Sequence, residues 1–319
     1  MFRRSLIAAS AAALAAPRLA RAQGYPEKPV RLLVPVAPGG SQDIVARLFA
    51  RHLGPVLGQN IVVENLPGAG SNIGYEAVVR ARPDGYVLGA GSDSLSVNKG
   101  LFRRLSFDPV EDIAPVAEAT RVPQILVAAA NSPANTLAEF VELAKSQPVA
   151  VGTPGNGSLS HLLQQQLQDA SEVRWTHAPY RGGALAVQDL MGGSLQGVMI
   201  NIGAVTDHVK GGRLKGIVVS SPTRTAALPD VPTFAEAGLT NADAVGWHGF
   251  FAPRGTPEEV VAKLNTALRQ VLRNEEVAGR LNALGIEPSD TGPEYLGQRL
   301  RADATRWAAV IERARLSPD

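Results

Sequence analysis

The residues with the most evident chemistry in this chain are small. Gly39, Gly40 and Ser41 lie between an apolar run, Val30 to Val36, and a segment whose Ile44, Val45, Leu48, Phe49 and Leu53 recur at helical spacing. That order reads as strand, glycine loop and helix. Ser41 is expected as N-cap, Asp43 falls in the first turn, and Gly54 is a natural stop. A helix N-terminus leaves backbone N–H groups unpaired and carries the positive end of the helix dipole, so it attracts anions. Glycines beside it let a ligand approach the backbone. A plain tight turn has the same signature, but the pattern repeats. It recurs at Ile61 to Ala81, at Val149 to Asp169 and at Trp175 to Gly192. Four such loops predict several helix N-termini facing one cleft, because ligands in open α/β sheets bind beyond the carboxyl ends of the strands.

Other chemistries find no support. No G-x-S-x-G pentapeptide is present for a serine hydrolase. Ser96 and Lys99 match S-x-x-K, yet the companion S-D-N and K-T-G motifs are missing. Gly70 to Gly74 has the wrong glycine spacing for a dinucleotide fingerprint, and no loop ends in the lysine of a P-loop. The five histidines, His52, His161, His177, His208 and His248, have no metal-ligand spacing. His161, in the first turn after Gly157-Ser158, reads more readily as a support or a solvated group than as a ligand contact. Asp43 and Asp84 read as a helix-start and a turn residue. We therefore expect no catalytic residue, metal or cofactor.

Composition sets the class. The chain has 319 residues, 45% of them hydrophobic, and no cysteine, which excludes disulfides, thiolate metal sites and thiol nucleophiles. The formal net charge is +2, but the first 22 residues hold Arg3, Arg4, Arg18 and Arg21 and no acid; two minus four leaves −2 for the remainder. A nucleic-acid partner thus loses its electrostatic basis. Those residues look like an export signal: Arg3-Arg4, an apolar stretch Leu6 to Ala16 too short to span a bilayer, and Ala20-Arg21-Ala22 for cleavage. The paired arginines suit a twin-arginine route, with Sec export open. No other stretch reaches membrane-spanning length, so the mature chain is expected to be soluble, without membrane insertion.

Strands are also expected at Tyr86 to Ala90, Pro123 to Ala130, Gly197 to Ile202, Gly216 to Ser220 and Gly246 to Pro253. Helices are expected at Thr136 to Ser146 and Val205 to Lys210, and Pro257 to Arg315 reads as nearly all helical, broken at Gly285 and Pro288. Asp108 to Asp112 reads as a connecting loop and Ser221 to Ala237 as a surface wrap. The alternation predicts an α/β fold with mostly parallel sheets. About ten strands exceed one small sheet, so we expect two lobes. Crossings near Val122 and Gly246 give residues 23–122 plus 247–319 as lobe 1 and 123–246 as an inserted lobe 2, with the ligand cleft between.

The runs PVAPGGSQDIVAR, VVENLPGAGSNIG, RPDGYVL, GTPGNGSLSHL, APYRGGALAVQDLMGG, LPDVPTFAEAG and WHGFFAPRGTPEEVVAKLN resemble the periplasmic receptors of tripartite tricarboxylate transporters, the Bug receptors, across essentially the whole mature chain. The resemblance implies a two-lobed type II periplasmic binding protein, a monomer that captures a small organic acid and passes it to inner-membrane transporter subunits. A sensory receptor, or an enzyme on the same scaffold, are the alternatives. Carried over by position, it implies ligand contacts at Gly39, Gly40, Ser41, Gly68, Ala69, Gly70 and Ser92. In the second lobe it implies Thr153, Gly155, Asn156, Gly157, Ser158, Tyr180, Arg181 and Gly182, with Asn201 and Asp207 on the distal wall. Tyr180 also reads as a wedge between helices. Gln196 and Asn201 stand where relatives commonly have acids, and Arg254 replaces a small residue; these changes are expected in or near the variable end of the pocket.

Overall fold

The computed structural model describes residues 24–239 and 244–318; the expected export signal lies outside the described residues. Among the described residues there are ten strands and ten α-helices, alternating along most of the chain. In the first sheet β1 (Val30–Val34) lies between β2 (Ile61–Asn65) and β3 (Val87–Ser92), all parallel. Beyond β3 comes β9 (Val245–Pro253), antiparallel, then the first part of β4 (Ile113–Ala129), with the short β10 (Glu287–Pro288) pairing to β4 as well.

The second part of β4 serves the second sheet. Gln124 to Ala128 pair antiparallel with β7 (Gly197–Asn201), and Ile125 to Ala129 with β8 (Leu214–Val219). The parallel strands β5 (Ala150–Thr153) and β6 (Thr176–Pro179) extend this sheet from β7. Each sheet is thus mostly parallel with one long strand reversed: β9 in the first and β4 in the second.

Helices cover both faces of each sheet, as buried parallel strands require. α1 (Ser41–Leu57), α8 (Glu258–Leu272) and α9 (Glu275–Ala283) bury Val45, Phe49, Leu53, Leu264, Leu268 and Leu281 against one face of the first sheet. α2 (Asn72–Val79) and the first half of α10 (Pro293–Ala314) pack Tyr75, Val78, Leu296 and Leu300 on the other. α4 (Leu137–Ser146) and α5 (Leu159–Ala170) cover one face of the second sheet; α6 (Gly183–Met191) and α7 (Thr206–Lys210) cover the other. Each fully buried large apolar side chain contributes about 1.5–3 kcal/mol.

Three local readings need correction. Gly40 is the N-cap of α1, and Ser41 is its first helical residue with its Oγ unpartnered. α1 does not stop at Gly54: it runs through Pro55 to Leu57 and ends at Gly58, whose φ of 71° supplies the left-handed cap. A proline in the last turn removes only one N–H bond, and burial of Leu57 draws the helix on. β4 begins at Ile113 and continues unbroken through Pro115 and Pro123, whereas the sequence reading starts a strand only at Pro123. Pro115 sits beside a register shift, and Pro123 falls where β4 leaves β9 for the second sheet, so both occupy places where the ladder is already interrupted. The helix α3 (Ser94–Leu101) has no counterpart in the sequence reading.

Candidate functional site

Strand direction decides where the loops gather. β1, β2 and β3 are parallel neighbours, so Gly39 to Ser41, Gly68 to Gly70 and Ser92 lie along one edge of the first sheet. β6, β5 and β7 are likewise parallel, so Thr153 to Ser158, Tyr180 to Gly182 and Asn201 share one edge of the second. Within that edge Gly182 N–H donates to Pro154 O at 3.2 Å and Tyr180 N–H to Thr153 O at 3.0 Å. The two edges meet. A Cβ built on Gly203 would lie 3.6 Å from Ser41 Oγ, and one built on Gly157 would lie 1.9 Å from Leu101 Cδ2 of α3. Thr206 Oγ1, on α7, donates to Leu284 O at 2.8 Å and strengthens the same junction.

The helix starts differ in what they leave free. α1, α2 and α6 begin without a side-chain cap, so their first N–H groups have no side-chain acceptor. α5 is different: Ser158 Oγ accepts from His161 N–H at 3.3 Å and donates to Gly155 O at 2.8 Å. Ser158 therefore closes its own turn. Two buried polar atoms at the facing edges lack partners, Ser41 Oγ and Asn201 Oδ1. Asn72, which follows the Gly68–Gly70 loop and was not singled out from the sequence, also leaves its Nδ2 unpartnered. Its signal was present as the first polar residue of a helix after a glycine loop. Buried polar atoms without partners are rare, and each of these fits a hydrogen bond to a bound polar group.

The loops are built with deliberate geometry. Gly39 has φ 85° and donates its N–H to Asp43 Oδ2 at 2.9 Å. Asp43 also accepts from Arg47 and Asn65; burial raises its pKa, but these bonds outweigh it and hold the carboxyl below its ordinary value. It is a clamp on the loop. Ser92, the last residue of β3, is part of a hydroxyl cluster with Tyr75 and Ser94: Tyr75 Oη lies 2.6 Å from Ser94 Oγ, and Ser92 Oγ lies 2.9 Å from it. Thr153 Oγ1 lies 2.7 Å from His177 Nε2.

Some expected residues are committed elsewhere or turned outward. Tyr180 donates its hydroxyl to Asp189 at 2.6 Å and packs on the α6 core, which fits the wedge reading. Arg181 and Asp207 are exposed. Gln196 accepts the Ala150 N–H at 2.9 Å, at the amino ends of the strands, and Arg254 follows the end of the reversed strand β9. Both lie on the edges opposite the loops, so neither belongs to the variable end of the pocket where the sequence reading put it. In the S-x-x-K run Ser96 is fully buried and Lys99 pairs with Asp108 at 2.8 Å. Two surface depressions of about 530 and 680 Å³, one lined by Ala144 to Val149 and Arg174 to Thr176 and one by Ala50 to Ile61, touch none of the loops.

The buried histidines predict an acid response. Burial lowers His161, His177 and His248 to about 4, with His177 adding to the effect on His161. Burial of Asp93 works the other way and raises its carboxyl to about 6. Between pH 6.5 and 4 the unfolded chain binds protons that the three native imidazoles refuse, while native Asp93 takes one. The net is about two protons taken up on unfolding, so stability falls as pH drops through that window. Urea unfolding at pH 7, 6, 5 and 4.5 measures this; a stability that is flat or rising towards acid would contradict it.

A family model described as "Tripartite tricarboxylate transporter family receptor" matches residues 45–316. The protein BugT of Bordetella pertussis is 34% identical over 304 residues, covering 94% of this chain and 93% of that protein. Among solved structures, the periplasmic binding protein BugD is 33% identical with a TM-score of 0.86, covering 92% of this chain and 99% of that one. MatC of Rhodopseudomonas palustris, solved with bound malate, is 35% identical with a TM-score of 0.83, covering 90% and 100%. A second R. palustris protein, solved with adipate, is 30% identical with a TM-score of 0.88, covering 92% and 100%. Among the described residues no helix is long and apolar enough to cross a membrane.

Proposed function

Because this chain belongs to the tripartite tricarboxylate transporter receptor family, we propose that it works in the periplasm, closing two hinged lobes on a small organic carboxylate and delivering it to the membrane subunits of such a transporter. The family is one of solute receptors, not enzymes. The observation that carries the reading is the pair of facing loop edges with uncapped helix starts and the unpartnered Ser41 hydroxyl, which is free to donate. The carboxylates held by MatC and by its adipate-binding relative support the ligand class.

In this reading the mature chain is a monomer, exported by the Sec or twin-arginine route with residues 1–22 as its signal. Residues 23–122 and 247–319 make one lobe, and 123–246 the other. One carboxylate sits on backbone N–H groups of Gly40, Ser41, Gly68, Ala69 and Gly70 from one side, with Gly39 held against Asp43 to shape the turn. Thr153, Gly155, Asn156, Gly157 and Gly182 approach from the other. Charge-assisted hydrogen bonds of roughly 1.5–3 kcal/mol each and about 0.3–1 kcal/mol per helix dipole leave room for micromolar binding, about −8 kcal/mol, after ordering costs.

A thermal-shift panel of carboxylates including malate and adipate tests this. A true ligand at a hundred times its Kd stabilises the fold by about 2.7 kcal/mol, and no product forms on long incubation. Steady turnover of any panel member would return the chain to the enzyme class.

A further inference from the structure

Two histidines far apart in sequence form one unit beneath the second-sheet loop. His161 in α5 and His177 in β6 stack with ring centroids 3.7 Å apart and an interplanar angle of 14°. Each ring holds one end of the loop. His161 Nδ1 accepts the Gly157 N–H at 3.1 Å, and His177 Nε2 lies 2.7 Å from Thr153 Oγ1, which also bonds Gly155 O at 3.2 Å. Gly155 and Gly157, at φ 152° and 68°, have no side chains of their own to fix the turn. The imidazole pair does it for them.

We propose that His161 and His177 are positioning residues that brace the Thr153–Ser158 loop only while both are neutral, so that acid loosens this loop and weakens ligand capture. The ligand part rests on the receptor reading above; the loop part does not. The mechanism is geometric. His161 Nδ1 can accept the Gly157 N–H only while it carries no proton; protonated, it sets a donor against a donor. A second charge would then face the first across a 3.7 Å stack. Burial disfavours the charged form of both rings. The ionic side chains on the helices around them are Asp169 on α5, Asp189 on α6, Lys99 on α3, and Glu294, Arg299, Arg301, Asp303, Arg306, Glu312 and Arg313 on α10. None is among the causes of either shift. Burial dominates both shifts, so proton binding is met by movement of the loop.

Amide hydrogen exchange of the ligand-free chain at pH 7 and 4.5, corrected for intrinsic rates, reads the brace directly. The Gly157 and Ser158 amides are expected to lose at least about ten-fold protection at pH 4.5, while β1 and β3 amides remain protected. The double variant His161→Asn with His177→Gln keeps acceptors near the two nitrogens and cannot titrate; its loop protection is expected to change little with pH. Unchanged protection in the wild-type chain, loss in step with β1 and β3, or the same loss in the double variant would each overturn the proposal. Malate and adipate affinities, measured for both proteins at both pH values, extend the test. The wild-type ratio of pH 7 to pH 4.5 affinity should exceed that of the double variant by about ten-fold, and the comparison cancels protonation of the ligand itself. Equal ratios would overturn the ligand part. Absence of binding by either compound at pH 7 counts against the receptor reading alone, since the exchange result still decides the brace.

Discussion

Gly157→Leu is expected to lower carboxylate affinity by at least about a hundred-fold, 2.7 kcal/mol, while the chain stays folded. Two effects combine. The backbone at Gly157 has φ 68°, a region L-residues enter at a cost of about 1–2 kcal/mol. A Cβ there would also lie 1.9 Å from Leu101 Cδ2 and 3.0 Å from its Cγ. Leu101 is 3% exposed and locked into a core cluster with Val97, Leu159 and Trp307, so it has little freedom to withdraw. The loop must retreat, which moves the Gly155–Gly157 amides and breaks the bond from Gly157 N–H to His161. Overpacking of this kind costs about 1–3 kcal/mol of stability, which a large core tolerates. Calorimetric titration beside circular dichroism separates lost binding from lost fold. Trimming the opposing side chain in the same background, Leu101→Ala, should restore part of the affinity if sterics dominate and none if backbone strain does. Wild-type affinity in Gly157→Leu would remove this loop from the site.

The second large effect lies under the strand crossing. Glu118 of β4 is fully buried and accepts from Ser289 Oγ at 2.8 Å, from Arg121 at 3.3 Å and from Arg299 at 3.3 Å. Arg299 also bonds Asp303 at 2.9 Å and donates to Val245 O at 2.6 Å, where β9 begins. Burial alone would lower the Arg299 pKa, but Asp303 and Glu118 outweigh it, and the guanidinium stays charged. Arg299→Met leaves Glu118 buried with one cation fewer and frees the Val245 carbonyl. Breaking a buried pair from one side costs about 3–5 kcal/mol, and a fall in Tm of about 6–10 °C is expected. Adding Glu118→Gln to Arg299→Met should recover part of that loss, because the unpaired charge is then gone. A Tm within about 2 °C of wild type for Arg299→Met would mean that Arg121 and Ser289 satisfy Glu118 by themselves.

Much of the architecture was legible in order and period. Val30 to Val34 and the spacing of Val45, Phe49 and Leu53 are local patterns, and local patterns survive folding when the face they imply is the face that is buried. The alternation of such units called for parallel strands. Parallel strands then place the turns after β1, β2 and β3 on one edge, and those after β5, β6 and β7 on another. The errors were of a different kind. Ser41 looked like a cap because serine usually is one, yet Gly40 takes that position. Ile113 to Val122 has no strand in the sequence reading, and only pairing with β9 shows that the missing N–H of Pro115 falls beside a register shift. Gln196 and Arg254 were near the loops in family terms and far from them in space, because β7 begins, and the reversed β9 ends, on the opposite edges of their sheets.

What the amino-acid order determined by itself was the set of strand–glycine–helix units and their polarity, since these depend on neighbours a few residues apart. What only the tertiary structure decided was which polar atoms were left over. Ser158 spends its hydroxyl on its own turn, Tyr180 gives its hydroxyl to Asp189, and the Ser41 hydroxyl and the Asn201 amide oxygen stay unspent. His161 and His177, sixteen positions apart, become a stacked pair because α5 and β6 return to the same side of one loop. Hydrogen-bond satisfaction and burial are sums over everything that surrounds an atom, and no window of sequence contains those surroundings.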